Sequence, residues 1–232
     1  MKIKTLSLTL CAAFLLSSCG TWKNTGWGTA IGTAAGSAIG LGIGYWADRN
    51  GDSNTGKVVG ASVGAAVGAT AGALIGRKMD KAAEEAKQVE GAQVQLVEVN
   101  GLPAVKVTFD SGILFGFNSS KLSEDASTSL TAFAEVLKNT PDADVAILGH
   151  TDNVGTEKAN QSVSEKRAKA VADHLKAQGV EEKQLKDVLG MSFSQPIASN
   201  DTEEGRAQNR RVEVYMYASQ QMIEAAETEA AN

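Results

Sequence analysis

Cysteine and histidine are nearly missing from this chain, with two of each in 232 residues. His150 and His174 are too few to build a His-based metal cluster. Cys11 and Cys19 both lie near the N-terminus, so neither can complete one. A metal centre of the usual ligand set is excluded, and no cofactor is expected. A dense Lys/Arg run is also absent. The chain carries 22 basic against 27 acidic residues, a formal net charge of -5, which makes nucleic acid a poor partner. Serine is plentiful, but no sequence context marks a nucleophile elbow, so the chain is read as a non-enzyme.

What is present divides the chain into pieces. Residues 1–18 carry Lys2 and Lys4 ahead of an apolar run through Leu6, Leu8, Leu10, Phe14 and Leu16, the pattern of a secretory signal peptide. The run ends in Leu16-Ser17-Ser18-Cys19-Gly20, which resembles the lipobox of bacterial lipoproteins. That resemblance implies cleavage before Cys19, lipidation of its thiol and a lipidated N-terminus over 19–27. Removing residues 1–18 takes away two lysines and no acid, leaving a charge of -7 and no partner for Cys19 in a disulfide. Each acyl methylene buried in a membrane contributes about 0.8 kcal/mol, so a multiply acylated cysteine anchors stably.

Glycine recurs every fourth residue from Gly28 to Gly44 and again from Gly56 to Gly76, with the polar stretch Asp48 to Asn54 between the runs. Eleven helical glycines cost on the order of 10 kcal/mol against alanine, so propensity alone cannot make these helices. Spacing by four puts them in one stripe that lets two backbones approach closely. Residues 28–76 are therefore expected to form a glycine-rich helical hairpin, whose membrane depth stays open; a flexible Gly/Ala spacer is the plainer alternative. Gly51 to Lys57 nearly matches a phosphate-binding loop, but Val58 stands where Ser or Thr should be and no strand precedes it. Residues 77–93, with Lys78, Asp80, Lys81, Glu84, Glu85 and Lys87 among alanines, read as a solvated helical connector.

The globular part begins at Val94. Val94 to Val99 and Val105 to Phe109 read as strands joined around Asn100-Gly101, despite the nearby Pro103; Ile113 to Phe115 extends or follows the second. Ser123 caps a helix with a face of Ala126, Leu130, Phe133 and Leu137, which stops at Pro141. Val145 to Leu148 reads as a buried strand. Ser162 and Glu165 form a capping box for a helix that Gly179 ends. Asp187 to Phe193 and Arg211 to Tyr217 complete the strands, and 219–232 is left as a tail. The fold class is α+β, two helices on a mixed sheet, preceded by the helical hairpin.

Asp152 enters the loop after the buried strand, and Arg167 falls four residues from both Val163 and Val171, on an apolar helix face where a guanidinium needs an anionic partner. Asp152 is either that partner, or the two hold a ligand between them, Arg taking a carboxylate and Asp an ammonium. Such a ligand would be a zwitterion.

Gly149 to Gly155, Asn160, Ser164, Arg167-Ala168, Pro196 to Asn200 and Gly205 to Glu213 are similar, in that order, to the OmpA-like peptidoglycan-binding domain, over residues 94–218. The resemblance implies a domain that holds the diaminopimelate of the peptidoglycan stem peptide, with Asp152 and Arg167 as gripping residues. Thr151, Asn153 and Asn160 would shape the loop, and Arg210 and Arg211 would take a structural or rim role. Gly116 replaces a commonly polar residue. With the lipobox and glycine stripe, the chain resembles outer-membrane lipoproteins that pair a glycine zipper with this domain. The implied protein is anchored in the outer membrane with its C-terminal domain in the periplasm, tethering membrane to wall. A stator-like component, a zipper-driven homo-oligomer and a periplasmic hydrolase are the rival readings.

Overall fold

Asn100 and Gly101 have φ of 54° and 76°, the left-handed pair that a two-residue hairpin turn requires. They join β1 (Ala92–Val99) to β2 (Leu102–Asp110), with Val99 opposite Leu102. Pro103 is tolerated because it faces Glu98 of β1, while the ladder on the other side of β2 begins only at Val105. This computed structural model describes residues 67–115 and 119–232, so the signal peptide, Cys19, most of the glycine-rich hairpin and the loop-like Gly51 to Lys57 stretch lie outside the described residues.

Asp110 accepts a hydrogen bond from Gly112 N and starts the short α2 (Ser111–Leu114), so Ile113 and Leu114 do not extend the strand. Ser123 caps α3 (Glu124–Lys138), which buries Ala126, Leu130, Phe133 and Leu137 as their spacing predicts. β3 (Ala143–Gly149) follows. α4 (Glu157–Ala177) begins earlier than the Ser162/Glu165 pair suggested: Thr156 is the cap, accepting from Ala159 N at 3.2 Å. The positive φ of Gly155 turns the chain into that cap, leaving Ser162 inside the helix. Gly179, also at positive φ, lies just past its end. β4 (Leu185–Gly190) ends ahead of Ser192, whose φ of 51° breaks the extended run expected to reach Phe193.

Three helices were not anticipated as packed elements. α1 (Ala69–Ala86) fuses the end of the glycine run to the residues read as a solvated connector, and it buries Ala71, Ile75, Met79, Ala82, Ala83 and Ala86. The alanines and charges suggested solvent, but the apolar residues fall at helical spacing on one face and join the main core. Gly76 lies against Pro103 of β2, and Lys78 pairs with Asp142 at 2.6 Å. α5 (Glu203–Asn209) is capped by Thr202. After β5 (Arg211–Ala218), the supposed tail forms α6 (Gln220–Ala230), capped by Ser219 and inserting Met222, Ile223 and Ala226 into the same core.

The five strands order as β1-β2-β5-β3-β4, antiparallel except for the β3–β4 pair, which α4 connects. This is the mixed sheet of the α+β expectation. Val105, Val107, Phe109, Val145, Ile147, Val212, Val214 and Met216 face the helices, with Phe109 and Phe133 edge to face at 5.7 Å. Each such fully buried side chain stabilises by roughly 1.5–3 kcal/mol.

Candidate functional site

The site is assembled where the ends of β3 and β5 meet α4. Gly149 closes β3, and any side chain there would run into the backbone of Ser164 on α4. Gly190, its register partner on β4, would place a Cβ 2.5 Å from Glu165 N and 2.6 Å from Ser164 Oγ. Two adjacent glycines thus let α4 sit directly on the sheet. Ser164 Oγ then accepts from Ser192 N at 3.0 Å, and Gln161 Nε2 donates to Gly190 O at 2.8 Å. Arg167 lies one turn further along this fixed face.

His150 and Thr151 follow Gly149 into the loop. Thr151 is buried, its N–H bonded to Ser192 O at 2.9 Å, and its hydroxyl has no partner among the described residues. Asp152 is 9% exposed and accepts from Val154 N through Oδ1 at 3.0 Å, a local turn that aims the carboxylate inward. Asn153 is exposed on the loop surface. Asn160 is buried and donates to Val154 O at 3.0 Å, pinning the loop to the first turn of α4.

Arg167 is 7% exposed, yet it makes no ion pair with Asp152. Among the described residues its guanidinium has one hydrogen bond, from Nε to Ser119 O at 3.3 Å, and it lies over the Phe115 ring at 5.3 Å. Burial, with the nearby charge of Arg210, pushes its pKa down, and Asp152 opposes this. Asp152 pairs instead with Arg210, Nη1 to Oδ2 at 2.7 Å. The salt bridge between Asp152 and Arg167 that spacing made plausible is therefore not formed. The sequence signalled Phe115 and Arg210 only through the motifs around them, because each acts through contacts between residues far apart in the chain.

Below the loop lies a buried charged layer. Glu213 receives Arg211 Nε at 2.8 Å and Tyr215 Oη at 2.8 Å, with Lys106 at 3.4 Å and His150 Nε2 at 3.6 Å. Burial alone would raise the Glu213 carboxyl, but His150, Arg211 and Lys106 outweigh it and hold it well below the carboxylate range. His150 is wholly buried, and burial pushes its pKa below 6.5. Among the described residues no group of three His, Cys, Asp or Glu could hold a metal ion, and no helix is long and apolar enough to cross a membrane.

The sheet, loop and helix that carry Asp152 and Arg167 lie within a stretch that is similar to known proteins. Residues 114–210 form an OmpA family domain. Residues 1–80 match the YMGG-like Gly-zipper family, placing the glycine stripe within a known repeat. The chain is 44% identical over 111 residues to the peptidoglycan-binding protein ArfA of Mycobacterium tuberculosis, covering 48% of this chain and 34% of that one. It is 39% identical over 108 residues to the outer-membrane lipoprotein YfiB of Pseudomonas aeruginosa, covering 47% and 64%. The chain thus spans less than two thirds of the length of these curated relatives. The cell wall anchor of the T6SS from Pseudomonas aeruginosa superposes with a TM-score of 0.51 at 27% identity, over 61% of this chain and 97% of that structure.

Proposed function

We propose that the chain is a lipid-anchored, non-enzymatic tether of the bacterial envelope, whose OmpA family domain binds peptidoglycan noncovalently. The observation that carries this is the Arg167 guanidinium. It is buried against Phe115 without an ion pair to Asp152, and Asp152 is held beside it by its own loop. A buried cation in that state binds a carboxylate strongly, because desolvation has already been met by the fold. An adjacent fixed carboxylate selects an ammonium on the same ligand, and the free end of a diaminopimelate residue in a stem peptide carries both groups. ArfA is described as peptidoglycan-binding and YfiB as an outer-membrane lipoprotein, which supports both halves of the reading. Cys19 would carry the lipid in the outer membrane, and the glycine zipper would lie between anchor and domain, at the membrane or as a contact between copies.

Cosedimentation of the full chain with purified peptidoglycan tests it. Wild type should pellet, and both Asp152→Asn and Arg167→Gln should pellet far less while keeping the wild-type melting temperature within a few degrees. A wild type that stays soluble would end the tether reading. Release of soluble muropeptides during the incubation would replace it with a hydrolase. For the anchor, Cys19→Ser should abolish incorporation of radiolabelled palmitate.

A further inference from the structure

We propose that Arg210 is a positioning residue of this site, orienting the Asp152 carboxylate for a ligand ammonium, and that Glu203 restrains Arg210 from the outside. The inference rests on the zwitterion-binding reading and assigns a role to residues outside the gripping pair.

Both oxygens of Asp152 are already directed. Oδ1 accepts from Val154 N at 3.0 Å and Oδ2 from Arg210 Nη1 at 2.7 Å. A carboxylate offers about four acceptor sites, so two remain for an incoming ammonium without displacing either contact. Arg210 is itself restrained: Nη2 donates to Glu203 Oε1 at 2.9 Å, and Glu203 Oε2 receives Arg206 Nε at 3.1 Å and Nη2 at 2.8 Å. Arg206 Nη1 ends the chain of charges on Asn200 O at 2.8 Å. Asn209 fixes this segment to α5, accepting from Ile197 N and Ala198 N and donating to Ala198 O. The loop before α5 is thereby connected to the carboxylate through three alternating charges, Arg206, Glu203 and Arg210.

The two ion pairs of Arg210 differ in weight. Glu203 has 65% of its side chain exposed, and a solvated pair of that kind contributes little. The Asp152 side chain is 12% exposed, so its charge-assisted bond to Arg210 is screened far less. Loss of Arg210 should free the Asp152 rotamer, whereas loss of Glu203 should only loosen Arg210.

Calorimetric titration of the full chain with a soluble muropeptide containing diaminopimelate separates the possibilities. Arg210→Met should bind about tenfold more weakly, the size of one charge-assisted hydrogen bond, and Arg210→Lys should recover part of the loss. Glu203→Gln should stay within about threefold of wild type. The decisive readout is coupling: Arg210→Met placed on Asp152→Asn should weaken binding no further than Asp152→Asn alone, because both remove the same oriented carboxylate. A full additional loss in the double variant, or an Arg210→Met protein that binds like wild type, overturns the role. If Asp152→Asn itself binds like wild type, the zwitterion reading fails first and takes this inference with it.

Discussion

Gly149 and Gly190 are register partners on the parallel β3–β4 pair, and α4 closes on both at Ser164 and Glu165. A methyl group at Gly190 would meet Glu165 N at 2.5 Å, which is backbone and cannot swing away. Gly190→Ala should therefore push α4 off the sheet and carry Arg167 with it. We expect a destabilisation of about 1–3 kcal/mol, the usual size for overpacking, together with a loss of peptidoglycan binding larger than the lost stability explains. Denaturant melts and cosedimentation on the same preparation check it.

The helix that links the zipper to the domain is part of the core. Met79 is wholly buried in it, among residues that also contact β2 and α6. Met79→Ala should cost about 2–5 kcal/mol of stability. A solvated connector would show no change, so a denaturant midpoint equal to wild type would contradict the packing described.

Acid should weaken the fold through His150. Burial holds its folded pKa below 6.5, so between that value and the depressed one the unfolded chain binds a proton that the folded chain does not. Stability then falls as pH drops below about 6.5. The lowered carboxyl of Glu213 adds a loss in the same direction, beginning further down as the pH passes through the ordinary carboxylate range. His150→Gln should flatten the slope of melting temperature against pH just below about 6.5. An unchanged slope would show that His150 titrates alike in both states.

Phe115 supports Arg167 from beneath its guanidinium. Phe115→Leu keeps most of the apolar volume but removes the ring face, so we expect muropeptide binding to weaken by about 1–2 kcal/mol with little change in folding. A binding constant equal to wild type would mean that the ring only fills space.

Legibility in the sequence followed the range of the interaction. The Asn100-Gly101 turn, the cap at Ser123 and the Leu130–Phe133–Leu137 face depend on residues a few positions apart, and each is where the pattern places it. The start of α4 was displaced because a plausible cap at Ser162 competes with a better one at Thr156, and only the Asp152 and Gly155 turn decides between them. α1 read as solvated because its apolar face is mostly alanine, whose burial depends on what lies opposite, and α6 read as a tail because its apolar face is only Met222, Ile223 and Ala226. In the candidate site, the motif pointed to Asp152 and Arg167, but the partner of Asp152 lies 58 residues away at Arg210, and no local pattern could assign it.

The grip itself is tested most directly by giving the full chain two soluble stem peptides that differ at one residue, diaminopimelate in one and lysine in the other. Lysine keeps the ammonium and lacks the terminal carboxylate. If Arg167 holds that carboxylate, calorimetry will show the diaminopimelate peptide binding at least about tenfold more tightly, as for one charge-assisted bidentate contact, and Arg167→Gln will erase the difference. Equal affinity for the two peptides in the wild type would contradict the account.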